Sequence, residues 1–176
     1  SMAQISTGSR ITKAGDDAAG LAISEGLKSQ VRSLSQASRN ANDGISMIQT
    51  AEQSMGEVSN ILTRVRELGI QASSDTIGDQ ERNFIQSEVS ALKSEVQRVA
   101  ESTTFGSRKL LDGSGGVYDI HVGTSANAAT DWIGYDASQT NITTSHLGID
   151  SLDFTSKDGA REGLALLDQA QLSVNG

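Results

Sequence analysis

Apolar residues recur at Leu27, Val31, Leu34, Ala37, Ala41, Ile45, Ile48, Ala51, Met55, Val58, Leu62, Val65 and Leu68, always in steps of three or four. That spacing averages close to the heptad repeat of packed helices, and the sequence contains no proline to interrupt it. It predicts one helix from about 16 to 73, roughly 85 Å long at a rise of 1.5 Å per residue. Gly15-Asp16-Asp17 reads as its start, with Asp16 capping free backbone N–H groups and Asp17 set against the positive end of the helix dipole. A seam this rich in alanine cannot hold such a helix alone, so partners are expected along it. Ser73-Ser74-Asp75-Thr76 breaks the pattern. A second helix is predicted after it, with Asp79 as its cap and Glu81 in its first turn. Its seam of Ile85, Val89, Leu92, Val96 and Val99 is again heptad-like, and the short break favours folding back antiparallel on the first helix.

Beyond Thr103-Thr104-Phe105-Gly106 the residues turn to Gly, Ser, Asp and Thr, and Asp112-Gly113-Ser114-Gly115-Gly116 marks a turn. From Val117 to Val122 the chain alternates, with Tyr118, Ile120 and Val122 on one face, which predicts a strand. A weaker strand is read at Ile133-Gly134-Tyr135, and 142–154 as irregular chain with short apolar pairs. Ser156 caps a third helix whose stripe is Ala160, Leu164, Leu167 and Val174, with Ala170 beside it. That stripe is still running at Gly176, so a fragment of a longer chain is expected. The predicted class is mainly α: an elongated antiparallel helical bundle of a long helix, its hairpin partner and a truncated third helix, with a small β-hairpin region. Its parts are a lead-in at 1–15, a two-helix rod at 16–111, β-hairpin and loops at 112–155 and the start of a C-terminal helix at 156–176, all in one rod-like domain.

Composition narrows the function. Of the 176 residues 36% are hydrophobic and only 3% aromatic, which argues for aliphatic seams and against a compact aromatic core. There is no cysteine, hence no disulfide framework and no thiolate metal site. The net charge is −8 and the 14 basic residues are scattered, so nucleic acid is not an expected partner. No apolar run approaches the ~18 residues of a membrane span, and the N-terminus lacks a basic-then-apolar secretory signal, so a soluble chain with no membrane contact is expected.

No catalytic constellation emerges. The two histidines, His121 in a strand and His146 in a loop, have no partner at metal-ligand spacing. The glycine-rich stretch at 112–116 fits no phosphate-binding motif, and Asn141-Ile142-Thr143 is a glycosylation pattern short enough to arise by chance. No cofactor is expected. One polar cluster remains: Arg64, Glu67, Leu68 and Gln71 follow one another at helical spacing and can share a face, which Glu88 of an antiparallel second helix can approach. Periodicity alone favours an ordinary solvated face. The sharper reading is a contact surface, because an exposed Arg and Leu side by side form a common hot spot once a partner covers them.

Several of these stretches resemble bacterial flagellin. Ile5-Ser6-Thr7-Gly8-Ser9-Arg10-Ile11 is similar to the family's L-S-[ST]-G-x-R-I, with Asp16-Asp17-Ala18-Ala19-Gly20 after it. Ser38-Arg39-Asn40-Ala41-Asn42-Asp43-Gly44-Ile45-Ser46, followed by Gln49-Thr50-Ala51-Glu52, is similar to S-x-N-A-x-D-G-I-S and Q-T-A-E. Arg64-Val65-Arg66-Glu67-Leu68 resembles R-[VM]-R-E-L, and Ile85-Gln86-Ser87-Glu88 resembles I-Q-x-E. The order is the family's own and runs along nearly the whole chain.

The resemblance implies a structural subunit of the flagellar filament, active in motility and not an enzyme. It implies assembly with other flagellin subunits in the full-length protein, a flagellar export chaperone, and passage through the flagellar channel to the cell exterior without a cleaved signal. The chain looks like the filament domain without the terminal segments, and variable outer domains are not expected. A second implied role is ligand of the flagellin-sensing Toll-like receptor of innate immunity, with Arg64, Leu68, Gln71 and Glu88 as receptor contacts. A hook-filament junction protein, which shares the export route, is the alternative.

Overall fold

The computed structural model describes residues 18–175; the expected Asp16 cap, the lead-in at 1–15 and the first motif lie outside them. The chain is mainly helical, with α1 at Ala18–Ala72, α2 at Asp79–Ser102, a short α3 at Ala128–Asp131 and α4 at Lys157–Asn175. Two small hairpins accompany these helices. β1 (Thr104–Phe105) pairs antiparallel with β2 (Arg108–Lys109), and β3 (Val117–His121) pairs with β4 (Trp132–Asp136). Two compact units result, one running to Gly44 and taking in Asp119–Ile133, the other formed by Ile45–Tyr118 and the chain from Gly134 onward.

The heptad reading is carried into packing from Val58 onward in α1 and along α2, whereas the expected seam positions Leu27, Val31, Leu34 and Ile45 are exposed. Val58, Leu62, Val65 and Leu68 of α1, Ile85, Val89, Val96 and Val99 of α2, and Ala160, Leu167, Ala170 and Val174 of α4 are buried. The polar contacts fix direction. Arg64 pairs with Glu88 and Arg82 reaches the Ala72 carbonyl, so α2 runs antiparallel to α1. Asp75 pairs with Lys157, Arg66 with Asp168, and Ser59 bonds Gln171, so α4 is antiparallel to α1 as well. Leu92 is only half-buried and sits at the edge of its seam.

Two helix starts separate expectation from finding. The cap of α2 is Gly78 with no side-chain bond, because Asp79 is already helical and its carboxylate pairs instead with Arg82 one turn on, at 3.2 Å. Ser156 does cap α4: its hydroxyl accepts from the Gly159 N–H at 3.1 Å. The β1–β2 hairpin has no signal in the apolar spacing of the sequence. Gly106, at φ +62, occupies the first central position of its two-residue turn, a conformation that glycine adopts without strain.

The irregular chain after β4 is well packed. Ile142, Leu147, Ile149, Leu152 and Phe154 are all buried. Two glutamines of α2 act as substitutes for a neighbouring strand. The Gln97 Oε1 accepts from the Thr144 N–H at 3.1 Å and hydroxyl at 3.0 Å, and the Gln86 Oε1 accepts from the Phe154 N–H at 2.7 Å. Backbone groups that no ladder satisfies are thereby bonded within the core.

The smaller unit contains the first part of α1 and the tip between β3 and β4. The Asn40 side-chain amide donates to the His121 carbonyl at 2.9 Å, and buried Gly44 lies under Ile120. Asp131, buried at the tip, accepts from the Ser125 N–H at 2.8 Å and from the Ser125 hydroxyl. These bonds, led by the Ser125 hydroxyl, hold the carboxyl below its ordinary range. The His121 ring lies flat on Trp132, with centroids 4.4 Å apart and planes 4° from parallel.

Candidate interaction face

Arg64 projects from α1 where α2 passes beside it. Its Nη2 and Nε donate to Glu88 Oε1 at 2.9 and 3.1 Å, and its Nη1 donates to Glu67 Oε2 at 3.1 Å. The guanidinium thus ties the two helices together while its side chain stays 51% exposed. Glu88 first and Glu67 second hold its proton more firmly than usual. Gln71, two turns beyond Arg64, is also exposed.

Leu68 does not belong to this surface. It is 2% exposed and packs in the core, so the expectation of an exposed Arg–Leu pair is corrected. The cause lies in its double membership: Leu68 follows Arg64 by four residues, yet it is also the last step of the apolar seam. Burying an isobutyl group outweighs any gain from leaving it on a solvated face. Arg64, Gln71 and Glu88 are brought to one surface, and Leu68 supports it from beneath.

The exposed apolar members of the region are residues that the helical periodicity left aside. Ile70 is 51% exposed and Phe84 68% exposed. Phe84 adjoins the seam residue Ile85 and Ile70 lies two residues past Leu68, so both fall off the apolar stripe.

Elsewhere the polar groups serve the fold. Asn141 Oδ1 accepts from the Thr143 N–H at 3.0 Å and hydroxyl at 2.8 Å, closing a local turn. Asp112 does the same for Ser114, at 2.9 and 2.7 Å. Among the described residues no group of His, Asp or Glu side chains is placed to hold a metal ion, and no helix is long and apolar enough to cross a membrane.

The fold is that of a mainly helical chain whose neighbouring helices are joined by exposed ionic bridges, Arg64–Glu88 and Arg66–Asp168. Residues 1–115 match the family described as the bacterial flagellin N-terminal helical region. A flagellin of Halalkalibacterium halodurans is 38% identical over 99% of this chain and 63% of its own length. Polar flagellin F of Vibrio parahaemolyticus is 49% identical over 73% of this chain and 34% of its own. The crystal structure of Bacillus cereus flagellin superposes with a TM-score of 0.67 at 27% identity, covering 78% of this chain and 77% of that one. The chain belongs to the bacterial flagellin family, whose members are structural proteins and not enzymes. It spans less than two thirds of the length of these two sequence relatives.

Proposed function

We propose that this chain forms part of the structural subunit of a bacterial flagellar filament, which places it outside the cell in assembly with further flagellin subunits and serves motility. Membership of the flagellin family over residues 1–115 is the observation that supports this reading most directly. Export through the flagellar channel with the help of a dedicated chaperone belongs to the same proposal. The test is genetic. A flagellin-less bacterium expressing the full-length protein that contains this chain regains swimming and shows filaments by electron microscopy; full export without any filament would overturn the reading.

A second role is proposed for the α1–α2 face: recognition by the flagellin-sensing Toll-like receptor, with Arg64, Gln71 and Glu88 in contact and Leu68 holding the surface from below. What favours it is Arg64, a half-exposed guanidinium held in one orientation by two carboxylates. A partner meets its planar fork already ordered, so less side-chain entropy is lost on binding. Arg64→Ala is expected to weaken binding to the purified receptor ectodomain by roughly tenfold or more, the scale of a hot-spot residue. Undiminished binding by a folded Arg64→Ala chain would sink this role.

A further inference from the structure

The seam between α1 and α4 contains a notch. Asp75 pairs with Lys157; Gly69 lies six residues before the first and Gly163 six after the second, so the antiparallel run of the helices sets the two glycines level. Neither has a side chain to fill the seam. The filling is the ring of Phe154, fully buried, at the end of the irregular segment 142–154. A Cβ on Gly69 would stand 3.1 Å from the Phe154 Cζ and one on Gly163 would stand 2.5 Å from its Cε1, so the ring lies against both backbones at once. The first turn of α4 rests on the segment itself, where a Cβ on Gly159 would collide with the Asp153 carbonyl oxygen.

The same segment is anchored to α2. Gln86 holds it on either side of Asp153, accepting from the Phe154 N–H at 2.7 Å and donating to the Leu152 carbonyl at 3.4 Å. Gln97, three turns further along α2, holds its other end at Thr144. By contrast, the ion pairs that join α4 directly to α1 use the exposed side chains of Asp75, Arg66 and Asp168, where such pairs contribute little. The buried stripe of α4 is rich in small residues, Ala160, Gly163 and Ala170. Small side chains pack acceptably at more than one register, whereas a ring fits its notch at one.

We propose that segment 142–154 is a strap and Phe154 its key: the ring fixes the register of α4 on α1, and α4 undocks together with the strap as one unit while the α1–α2 pair stays closed. That pair has its own closure, the seam of Leu62, Val65, Val89 and Val96 and the bond from Arg82 to the Ala72 carbonyl. Opening the strap and α4 breaks none of these, which makes it the cheaper partial opening.

The test is hydrogen–deuterium exchange of the whole chain, read by mass spectrometry in urea below the unfolding transition. In the parent, peptides from 142–154 and from α4 are expected to share one opening free energy and one urea dependence, and peptides around Leu62 and Val89 to open at higher energy. Gln86→Ala is expected to speed exchange of strap and α4 alike by about tenfold or more, with the α1–α2 pair within about twofold of the parent. Gly163→Ala speeds α4 exchange in the parent through overpacking, and does so less in a Phe154→Leu chain, where the ring atoms it meets are gone. The proposal is overturned if strap and α4 open independently in the parent, if both open only with the whole chain, or if Gln86→Ala loosens the strap alone. An equal effect of Gly163→Ala in both backgrounds removes Phe154 as the key and overturns it too. Should Phe154→Leu not fold, the parental and Gln86→Ala measurements decide alone.

Discussion

Arg82 closes the C-terminal end of α1: its Nε donates to the Ala72 carbonyl oxygen at 2.9 Å while its Nη2 donates to the Ser74 carbonyl at 2.9 Å. The last carbonyls of a helix have no partner within the helix and carry its negative partial charge, so a buried guanidinium is a fitting cap. Asp79 steadies the same guanidinium from the first turn of α2. One side chain therefore sets how the α1–α2 turn is closed.

Arg82→Ala leaves the carbonyl of buried Ala72 without its Arg82 donor and is expected to cost ~1 to 3 kcal/mol in urea unfolding. Arg82→Lys recovers only part of this, since a single ammonium on a flexible stem does not reproduce the fork that reaches both carbonyls.

Two glycine substitutions are expected to act in opposite directions. A Cβ at Gly163 meets Phe154 Cε1 at 2.5 Å and Leu152 Cδ2 at 2.9 Å, and the Phe154 ring is fully buried. Gly163→Ala is expected to lower stability by ~1 to 3 kcal/mol through overpacking, despite its better helix propensity. Around Gly56 of α1 a Cβ meets nothing within 4 Å, so Gly56→Ala is expected to gain ~0.5 to 1 kcal/mol. Thermal melts of the two variants check both signs.

Leu68→Ala removes a buried side chain and is expected to cost ~2 to 5 kcal/mol. Receptor binding, measured well below the melting temperature and corrected for folded fraction, stays within about twofold of the parent. A large specific loss in a fully folded variant would mean that Leu68 reaches the partner directly.

Acid is expected to loosen the tip between β3 and β4. The Asp131 carboxyl is depressed in the folded chain, chiefly by the Ser125 hydroxyl, so the folded tip resists protonation that the unfolded chain accepts near pH ~4. Its stabilising contribution is complete above that pH and is lost as pH falls through the lower folded value. Trp132, the sole tryptophan, adjoins Asp131 and reports the change by fluorescence. The acid transition below pH ~4 is expected to vanish in Asp131→Asn.

How far the fold was legible depended on whether one residue answered to one force. Val58, Leu62, Val65, Val89 and Val96 did, and their three-and-four spacing located both seams. Ser156 did so as well, since a serine before a helical stripe has little else to do. Leu68 answered to two patterns, and only packing decides between them. Asp79 likewise could cap its helix or pair with Arg82, and the pair prevailed. Gln86 and Gln97 carry no local signature for the backbone groups they satisfy, because their partners lie 68 and 47 residues away in sequence. Arg64 and Glu88 follow from spacing and family motif together, whereas the burial of Leu68 is decided only by packing.

The exposed apolar residues of the first turns of α1 have a consequence for how that helix breathes. Ile23, Leu27, Val31 and Leu34 stand open to water in the same helix that buries Val58, Leu62 and Val65 farther on. Opening the early turns forfeits backbone bonds and little tertiary contact, whereas opening the later turns tears apart a core. Amide protons along one uninterrupted helix should therefore exchange with deuterium on a graded clock, within seconds before Ala37 and only through global unfolding near Val65. The helix behaves as a zipper that frays from its N-terminal side and is locked at the other.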